Sequence, residues 1–185
     1  LSFTTKNLDH FKLFFEKNIP VVFFDRVDEN SDRTHVIIDN YKCGLQATKH
    51  LLEQGCKRIV MLTANLKRNV YAQRHRGYTD ALLDAGIEYN KNLVLVKDLS
   101  EQSALEAAGE ILKMKPLPDG LFITNDFIAA VCMQELKRHG IRVPEDIAIV
   151  GFNNDAISKI VDPQMSTINY PGKDMGEVTA RSLMN

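Results

Sequence analysis

Short apolar runs alternate with longer amphipathic segments along the chain. The runs are rich in β-branched and aromatic residues, and five of them predict strands at residues 20–25, 58–62, 93–96, 120–124 and 147–152. A shorter strand is predicted at residues 35–38. Continuous apolar strands of this kind belong in a parallel sheet that is covered on both faces.

Between these runs, apolar residues recur at helical spacing. Gly55, Gly86 and Gly140 follow three of the predicted helices, at the position where glycine most often ends a helix. Ser100 is a predicted N-cap. Repeated β-α units predict a doubly wound α/β fold. Residues 162–171 are bracketed by two prolines, and we expect this segment to be irregular and to connect two lobes.

Composition narrows the class of protein. The 185 residues are 44% hydrophobic and 25% charged, which is ordinary globular composition. No apolar run approaches the roughly 18 residues of a membrane span, and a net charge of −1 gives no general attraction to nucleic acid or anionic lipid. Three cysteines far apart favour reduced thiols in a cytoplasmic protein. No metal-ligand spacing is present, and we expect no cofactor.

Polar residues stand where the predicted strands end, and they are Asp25, Asp98, Asn125, Asp126, Asn153 and Asn154. Asp and Asn at such positions often only cap the next helix or form turns. In open α/β sheets, however, ligands bind outside the carboxyl ends of the strands, and the recurrence at four strand ends favours a ligand site. Carboxylates and amides suit the recognition of hydroxyl or amide groups.

The candidate cation for this site is Arg74, with Arg76 as its competitor. In a helix, positions 74 and 78 share a face, whereas position 76 points elsewhere. We expect Arg74 to be a solvated cleft residue whose loss changes stability little. Taken alone, a short basic run at the start of a helix usually lies on a solvated surface. No nucleophile elbow, P-loop or dinucleotide fingerprint is present, so nothing in the sequence favours an enzyme.

Seven short segments follow one another along the chain in the same order as the motifs of one known protein family. They are P-V-V-F-F-D-R at 20–26, V-I-I-D-N at 36–40, G-C-K-R-I at 55–59, R-H-R-G-Y at 74–78, T-N-D at 124–126, R-V-P-E-D-I at 142–147 leading to G-F at 151–152, and D-P-Q-M-S-T-I at 162–168. The series resembles the effector-binding domain of the LacI/GalR (lactose-repressor) family of bacterial transcription regulators. Cys56 stands where that family usually has His.

The resemblance implies a periplasmic-binding-protein-like fold, in which two Rossmann-like lobes are built on parallel sheets. The amino-terminal lobe would be incomplete in this chain: residues 1–39 would form part of it, residues 40–168 the carboxy-terminal lobe, and residues 169–185 a return to the amino-terminal lobe. The helix-turn-helix DNA-binding headpiece would be absent, and with it the capacity to bind operator DNA.

The resemblance also implies a function. A sugar or related small polar effector would bind in the cleft between the lobes of a cytoplasmic homodimer and control operator binding, with no role for a membrane. The effector contacts fall on Asp25, Arg74, Asn125 and Asn153, with Asp126 beside them. The family usually has Asp where Asn153 stands, so a charge is missing here.

Two other functions compete with this interpretation. A periplasmic sugar receptor of a transporter shares the fold, and a small α/β enzyme shares the pattern of strands and helices. An enzyme would need a catalytic constellation, and none is visible in the sequence.

Overall fold

The computed structural model describes residues 8–27 and 33–184. Their helices α1 to α7 are Lys12–Glu16, Asn40–Glu53, Asn69–Asp84, Glu101–Lys113, Asp126–Arg138, Ile157–Ile160 and Gly172–Met184. Their strands β1 to β7 are Phe23–Phe24, His35–Val36, Ile59–Thr63, Val94–Val96, Gly120–Ile123, Ala148–Asn153 and Ser166–Asn169. Single turns of 3-10 helix lie at Asp9–Phe11 and Lys91–Leu93.

The chain divides into two compact units. The first contains the described residues up to Asp39, Arg68–Val70 and those from Pro171 onward. The second contains Asn40–Lys67 and Tyr71–Tyr170.

The second unit is built on a five-stranded sheet in the order β4-β3-β5-β6-β7. Every neighbouring pair is parallel, which confirms the predicted α/β fold with parallel strands. The chain places β4 on one side of β3 and then adds β5, β6 and β7 on the other side. The strand order therefore reverses between β3 and β5, as in other doubly wound sheets.

Both faces of this sheet are covered, because alternate residues of a strand point to opposite faces. Val60 and Leu62 of β3 belong to the main hydrophobic core, together with buried residues of α4 and α5. Ile59 and Met61 alternate with them and are equally buried. The hydroxyl of the fully buried Tyr78 on α3 donates to the carbonyl oxygen of Ile59 at 2.8 Å.

The first unit contains a small parallel pair of strands. Phe23 of β1 pairs with His35 of β2, and Phe24 pairs with Val36. Helix α7 contacts both strands. The ring of Phe11 meets that of Phe23 edge-on, with centroids 5.3 Å apart, so aromatic side chains form much of this unit's packing.

Several local predictions are confirmed. The Ser100 hydroxyl caps α4 by accepting from the backbone N–H of Ser103. Gly55, Gly86 and Gly140 all have positive φ angles at the ends of helices. The three cysteines are free, and burial raises the pKa of Cys56 to about 11 and that of Cys132 to about 12.

The prediction that residues 162–171 are irregular is wrong for the centre of this segment. Ser166–Asn169 forms β7, the edge strand beside β6. An edge strand with two exposed residues, Ser166 and Asn169, needs no continuous apolar run, so its sequence lacks the signal of the other strands. The strands predicted at 20–25 and 35–38 contain only two residues each of regular pairing.

Helices α2 and α3 approach each other backbone to backbone. A Cβ atom added at Gly44 would overlap the backbone of Arg74, and one added at Gly77 would overlap the carbonyl oxygen of Tyr41. Each helix therefore needs glycine at its contact point. The approach also fixes the backbone of Arg74 against α2.

We expect Gly77→Ala to lower the free energy of unfolding by about 3 kcal/mol, because the new methyl group forces two helix backbones apart. Gly109→Ala in α4 is the matched control, since a Cβ there meets nothing within 4 Å and alanine favours the helix by about 0.5–1 kcal/mol. Urea denaturation measures both. Equal effects of the two replacements would contradict the close contact of α2 with α3.

Candidate ligand-binding site

The carboxyl edge of the second unit's sheet brings several predicted residues together. Crevices form at this edge where the strand order reverses, which here is between β3 and β5. Helix α3 follows β3 along the chain and carries Arg74, whereas Asn125 and Asp126 follow β5 directly. Asn153 is the last residue of β6, the next strand in the sheet.

Arg74 is buried, with 6% of its surface exposed. Its Nε donates to Asn40 Oδ1 at 2.9 Å, and its Nη1 donates to the carbonyl oxygen of Thr124 at 3.4 Å. The guanidinium carbon lies 3.5 Å from the centroid of the Phe152 ring, a favourable cation-π distance. Groups from the start of α2, the end of β5 and the end of β6 thus fix the orientation of this cation.

The expectation that Arg74 is a solvated residue is wrong, because only 6% of its surface is exposed. Helical spacing indicates which residues share a face of α3, but it does not say how closely that face packs on the sheet. The other half of the expectation is confirmed, because the Arg76 side chain is 70% exposed and faces Asp80 instead.

Asn125 caps α5. Its Oδ1 accepts from the backbone N–H of Ile128 at 3.0 Å, as expected of an amide at a helix start. Since Oδ1 is used in the cap, the Nδ2 group is the part of this side chain that a ligand acceptor would meet.

Asp126 is completely buried. Its Oδ2 accepts from the backbone N–H of Asp155 at 2.8 Å, and its Oδ1 accepts from the Thr167 hydroxyl at 2.7 Å. Burial raises the pKa of the Asp126 carboxyl above its ordinary value, although these hydrogen bonds oppose the shift. The contacts of this carboxylate are with the end of β6, with the turn after it and with β7.

Asn153 and Asn154 form that turn, and both have positive φ angles, of 122° and 59°. The Asn153 Nδ2 donates to Asp155 Oδ2 at 3.1 Å. The backbone N–H of Asn154 donates to the Thr167 hydroxyl at 3.2 Å. Since few residues other than glycine adopt such angles, the surrounding hydrogen bonds define this turn.

Asp25 belongs to the first unit, and the other four predicted contacts belong to the second. It follows β1, has a φ angle of 63°, and its carboxylate lies 3.3 Å from the Nε of Arg26. Asp98 follows β4 and accepts from the backbone N–H of Ser100 at 3.0 Å. The hydrogen bonds from Ser100 lower the pKa of the Asp98 carboxyl. Asp98 therefore forms a turn after β4.

Sequence reasoning did not identify four residues that shape the site: Asn40, Thr124, Phe152 and Thr167. The first three hold the Arg74 guanidinium, and the fourth holds the turn after β6. Each lies inside one of the seven segments, and Thr124 and Phe152 stand directly beside the predicted contacts Asn125 and Asn153. Their position in those segments was the available signal.

Other features of the described residues do not add to this site. A cavity of about 230 Å³ lies at the opposite edge of the sheet, where β6 and β7 begin, and His50, Met133 and Pro163 are among its lining residues. Within residues 8–27 and 33–184, no group of three or more His, Cys, Asp or Glu side chains could hold a metal ion. No helix in this part of the chain is long and apolar enough to cross a membrane.

Comparisons with known proteins connect this geometry to a family. Residues 48–185 match the family model described as a periplasmic binding protein-like domain. The HTH-type transcriptional regulator CelR of Thermobifida fusca is 35% identical over 152 residues, which are 82% of this chain and 45% of that protein. The HTH-type transcriptional repressor PurR of Photobacterium profundum is 31% identical over 170 residues, which are 91% of this chain and 51% of that protein.

Solved structures that resemble this chain also belong to transcription regulators. A complex of the transcriptional regulator CelR with cellobiose is 32% identical, with a TM-score of 0.86, over 94% of this chain and 54% of that one. A sugar-binding transcriptional regulator of the LacI family from Escherichia coli is 25% identical, with a TM-score of 0.83, over 96% and 64%. The chain spans about half the length of the curated relatives that it matches.

The burial of Arg74 predicts a measurable contribution to stability. Arg74→Ala is expected to lower the free energy of unfolding by about 2 kcal/mol, because it removes charged hydrogen bonds and leaves the buried oxygens of Asn40 and Thr124 without this donor. Arg76→Ala should change it by no more than about 0.5 kcal/mol, since that side chain is exposed. Denaturant titration of both variants tests this, and equal stabilities would contradict it.

Proposed function

Because the chain belongs to the periplasmic binding protein-like domain family, in the form that LacI-family transcription regulators carry, we propose that it senses a small polar effector for such a regulator. The observation that carries the proposal is the buried, oriented guanidinium of Arg74 at the carboxyl edge of the sheet, where the ends of β5 and β6 hold it. A fixed cation at this edge of a doubly wound sheet suits a ligand contact.

The ligand class follows from the polar groups at this edge. Arg74 and the Nδ2 of Asn125 are donors, whereas the Oδ1 of Asn153 is an acceptor. Neutral molecules with several hydroxyl groups satisfy both kinds, since a hydroxyl donates and accepts. We therefore propose a sugar as effector, and the cellobiose complex of the related CelR supports this class. Asp25 remains a predicted contact on the family resemblance.

Asp126 has a different role in this proposal from that of the other four residues. A fully buried carboxylate that already accepts two hydrogen bonds is better suited to supporting the site than to touching the effector. We propose no enzymatic activity. The relatives named as HTH-type regulators favour a transcription regulator over a transport receptor, and with it a cytoplasmic location.

We propose that the two compact units correspond to the two lobes of the effector-binding domain, with residues 1–39 and 169–185 in the amino-terminal lobe and residues 40–168 in the carboxy-terminal lobe. The complete protein would be a homodimer. Exposed apolar side chains on the second unit, Phe127 at 49% and Ile160 at 75%, support an apolar contact surface. A two-fold dimer would match a palindromic operator.

A thermal-shift panel of the full-length protein with cellobiose, maltose, sucrose, glucose, galactose and ribose tests the effector class. We expect at least one sugar to stabilise the protein, since a ligand that binds only the folded state raises its melting temperature. Calorimetry with that sugar then compares two variants. Arg74→Lys keeps the charge but not the planar fork of donors and should weaken binding about tenfold or more, whereas Arg76→Ala should stay within about twofold.

The result that no sugar in the panel shifts the melting temperature would overturn the proposed effector class. A loss of affinity in Arg76→Ala but not in Arg74→Lys would place the ligand on the other face of α3.

The chain by itself should not bind operator DNA. Phosphate contacts by Lys and Arg dominate protein–DNA affinity, and a net charge of −1 provides no such surface. We propose that a helix-turn-helix segment of the complete protein supplies this contact. In a gel-shift assay at physiological salt, the full-length protein should retard its operator and the 185-residue chain should not. A tight, salt-sensitive complex with the chain alone would contradict the proposal.

A further inference from the structure

We propose that Asp126 and Thr167 are positioning residues, which lock the turn at Asn153 and Asn154 so that the Asn153 amide presents its oxygen to the effector. This inference rests on the proposed function, because it concerns how one contact of that site is held. It assigns to both residues an indirect role in ligand recognition, through Asn153.

Two consecutive backbone N–H groups of the turn are held by one buried carboxylate, one of them directly and the other through Thr167. Asp126 Oδ2 accepts from the backbone N–H of Asp155 at 2.8 Å, on the far side of the turn. Asp126 Oδ1 accepts from the Thr167 hydroxyl at 2.7 Å, and that hydroxyl accepts in turn from the backbone N–H of Asn154 at 3.2 Å. Because the Thr167 proton is donated to Asp126, its lone pairs face Asn154.

The backbone of the turn needs such support. For a residue other than glycine, the φ angle of 122° at Asn153 costs on the order of 1–3 kcal/mol, and it persists only where its surroundings define it. Asparagine tolerates the φ angle of 59° at Asn154 more readily. Asn154 gains a further bond through its side chain, whose Nδ2 donates to Asn169 Oδ1 at 3.0 Å. Backbone and side-chain bonds to β7 together hold the strained conformation.

The same arrangement orients the Asn153 side chain. Its amide lies 3.1 Å from Asp155 Oδ2, and because a carboxylate only accepts, the Nδ2 group must be the part that faces Asp155. The Oδ1 of Asn153 therefore points away from Asp155 as a free-standing acceptor for a ligand donor. An aspartate at position 153 would instead place two carboxylates side by side, so asparagine suits this turn.

Asp126 packs closely against the backbone of β6 directly before the turn. A Cβ atom added at Gly151 would overlap Asp126 Oδ1. The carboxylate thus fills the space next to the β6 backbone directly before Phe152 and Asn153. It links the Asn153 turn to the strand whose aromatic ring supports Arg74.

Three variants of the full-length protein test the proposal. Thr167→Val keeps the shape of the side chain and removes the hydroxyl, Thr167→Ser keeps the hydroxyl, and Ser166→Ala is a matched control one residue away, where the hydroxyl faces His50 instead. Hydrogen-deuterium exchange without ligand is followed for residues 151–156, with residues 59–63 in β3 as the internal reference.

We expect Thr167→Val to speed exchange of the Asn154 and Asp155 amides about tenfold while the β3 reference is unchanged, since the opening is local. The affinity for the sugar that the thermal-shift panel identifies should fall by about tenfold, which corresponds to about 1.4 kcal/mol. Thr167→Ser and Ser166→Ala should match the wild type within about twofold in both measurements.

Unchanged exchange at residues 151–156 in Thr167→Val would overturn the proposal. Faster exchange with unchanged affinity, in a protein where Arg74→Lys loses affinity, would overturn it as well, because the turn would then not serve binding. If the wild type binds no sugar of the panel, the proposed effector class fails, and the exchange data still decide whether Asp126 and Thr167 hold the turn.

Discussion

Two helices of the second unit touch through their backbones at Gly44 and Gly77, and the position of Arg74 depends on this contact. Where a Cβ would overlap the opposite backbone, the crossing of α2 and α3 has almost no freedom. The carbonyl of Arg74 lies at the crossing itself, so its side chain starts from a fixed point. From this point the guanidinium contacts Asn40, Thr124 and the Phe152 ring.

Much of the fold is predictable because elements that are buried need apolar residues in a recognisable pattern along the sequence. The fully buried strands β3 and β5 are continuous apolar runs, and a parallel sheet covered on both faces requires such runs. Strand β7 was not predicted, because its sequence is not a continuous apolar run. Its pairing with β6 is backbone hydrogen bonding at an edge, where Ser166 and Asn169 remain exposed.

The sequence predicts which polar residues stand at the ends of strands, but it does not predict their environment. Strand ends and family segments identify Arg74 and Asn153, because both depend on local order along the chain. The burial of Arg74 and the enclosure of Asp126 arise from residues 34 and 41 positions away in sequence, Asn40 and Thr167. Periodicity within one helix carries no information about such distant partners.

The hydrogen bonds at the Asn153 turn also bear on how this protein ages chemically. Deamidation of an asparagine begins when the backbone nitrogen of the following residue attacks the side-chain carbonyl carbon. For Asn153 that nitrogen belongs to Asn154 and is bonded to Thr167, and for Asn154 it belongs to Asp155 and is bonded to Asp126. Both nitrogens are thus engaged as hydrogen-bond donors, so attack on either side chain would first require one of these hydrogen bonds to break.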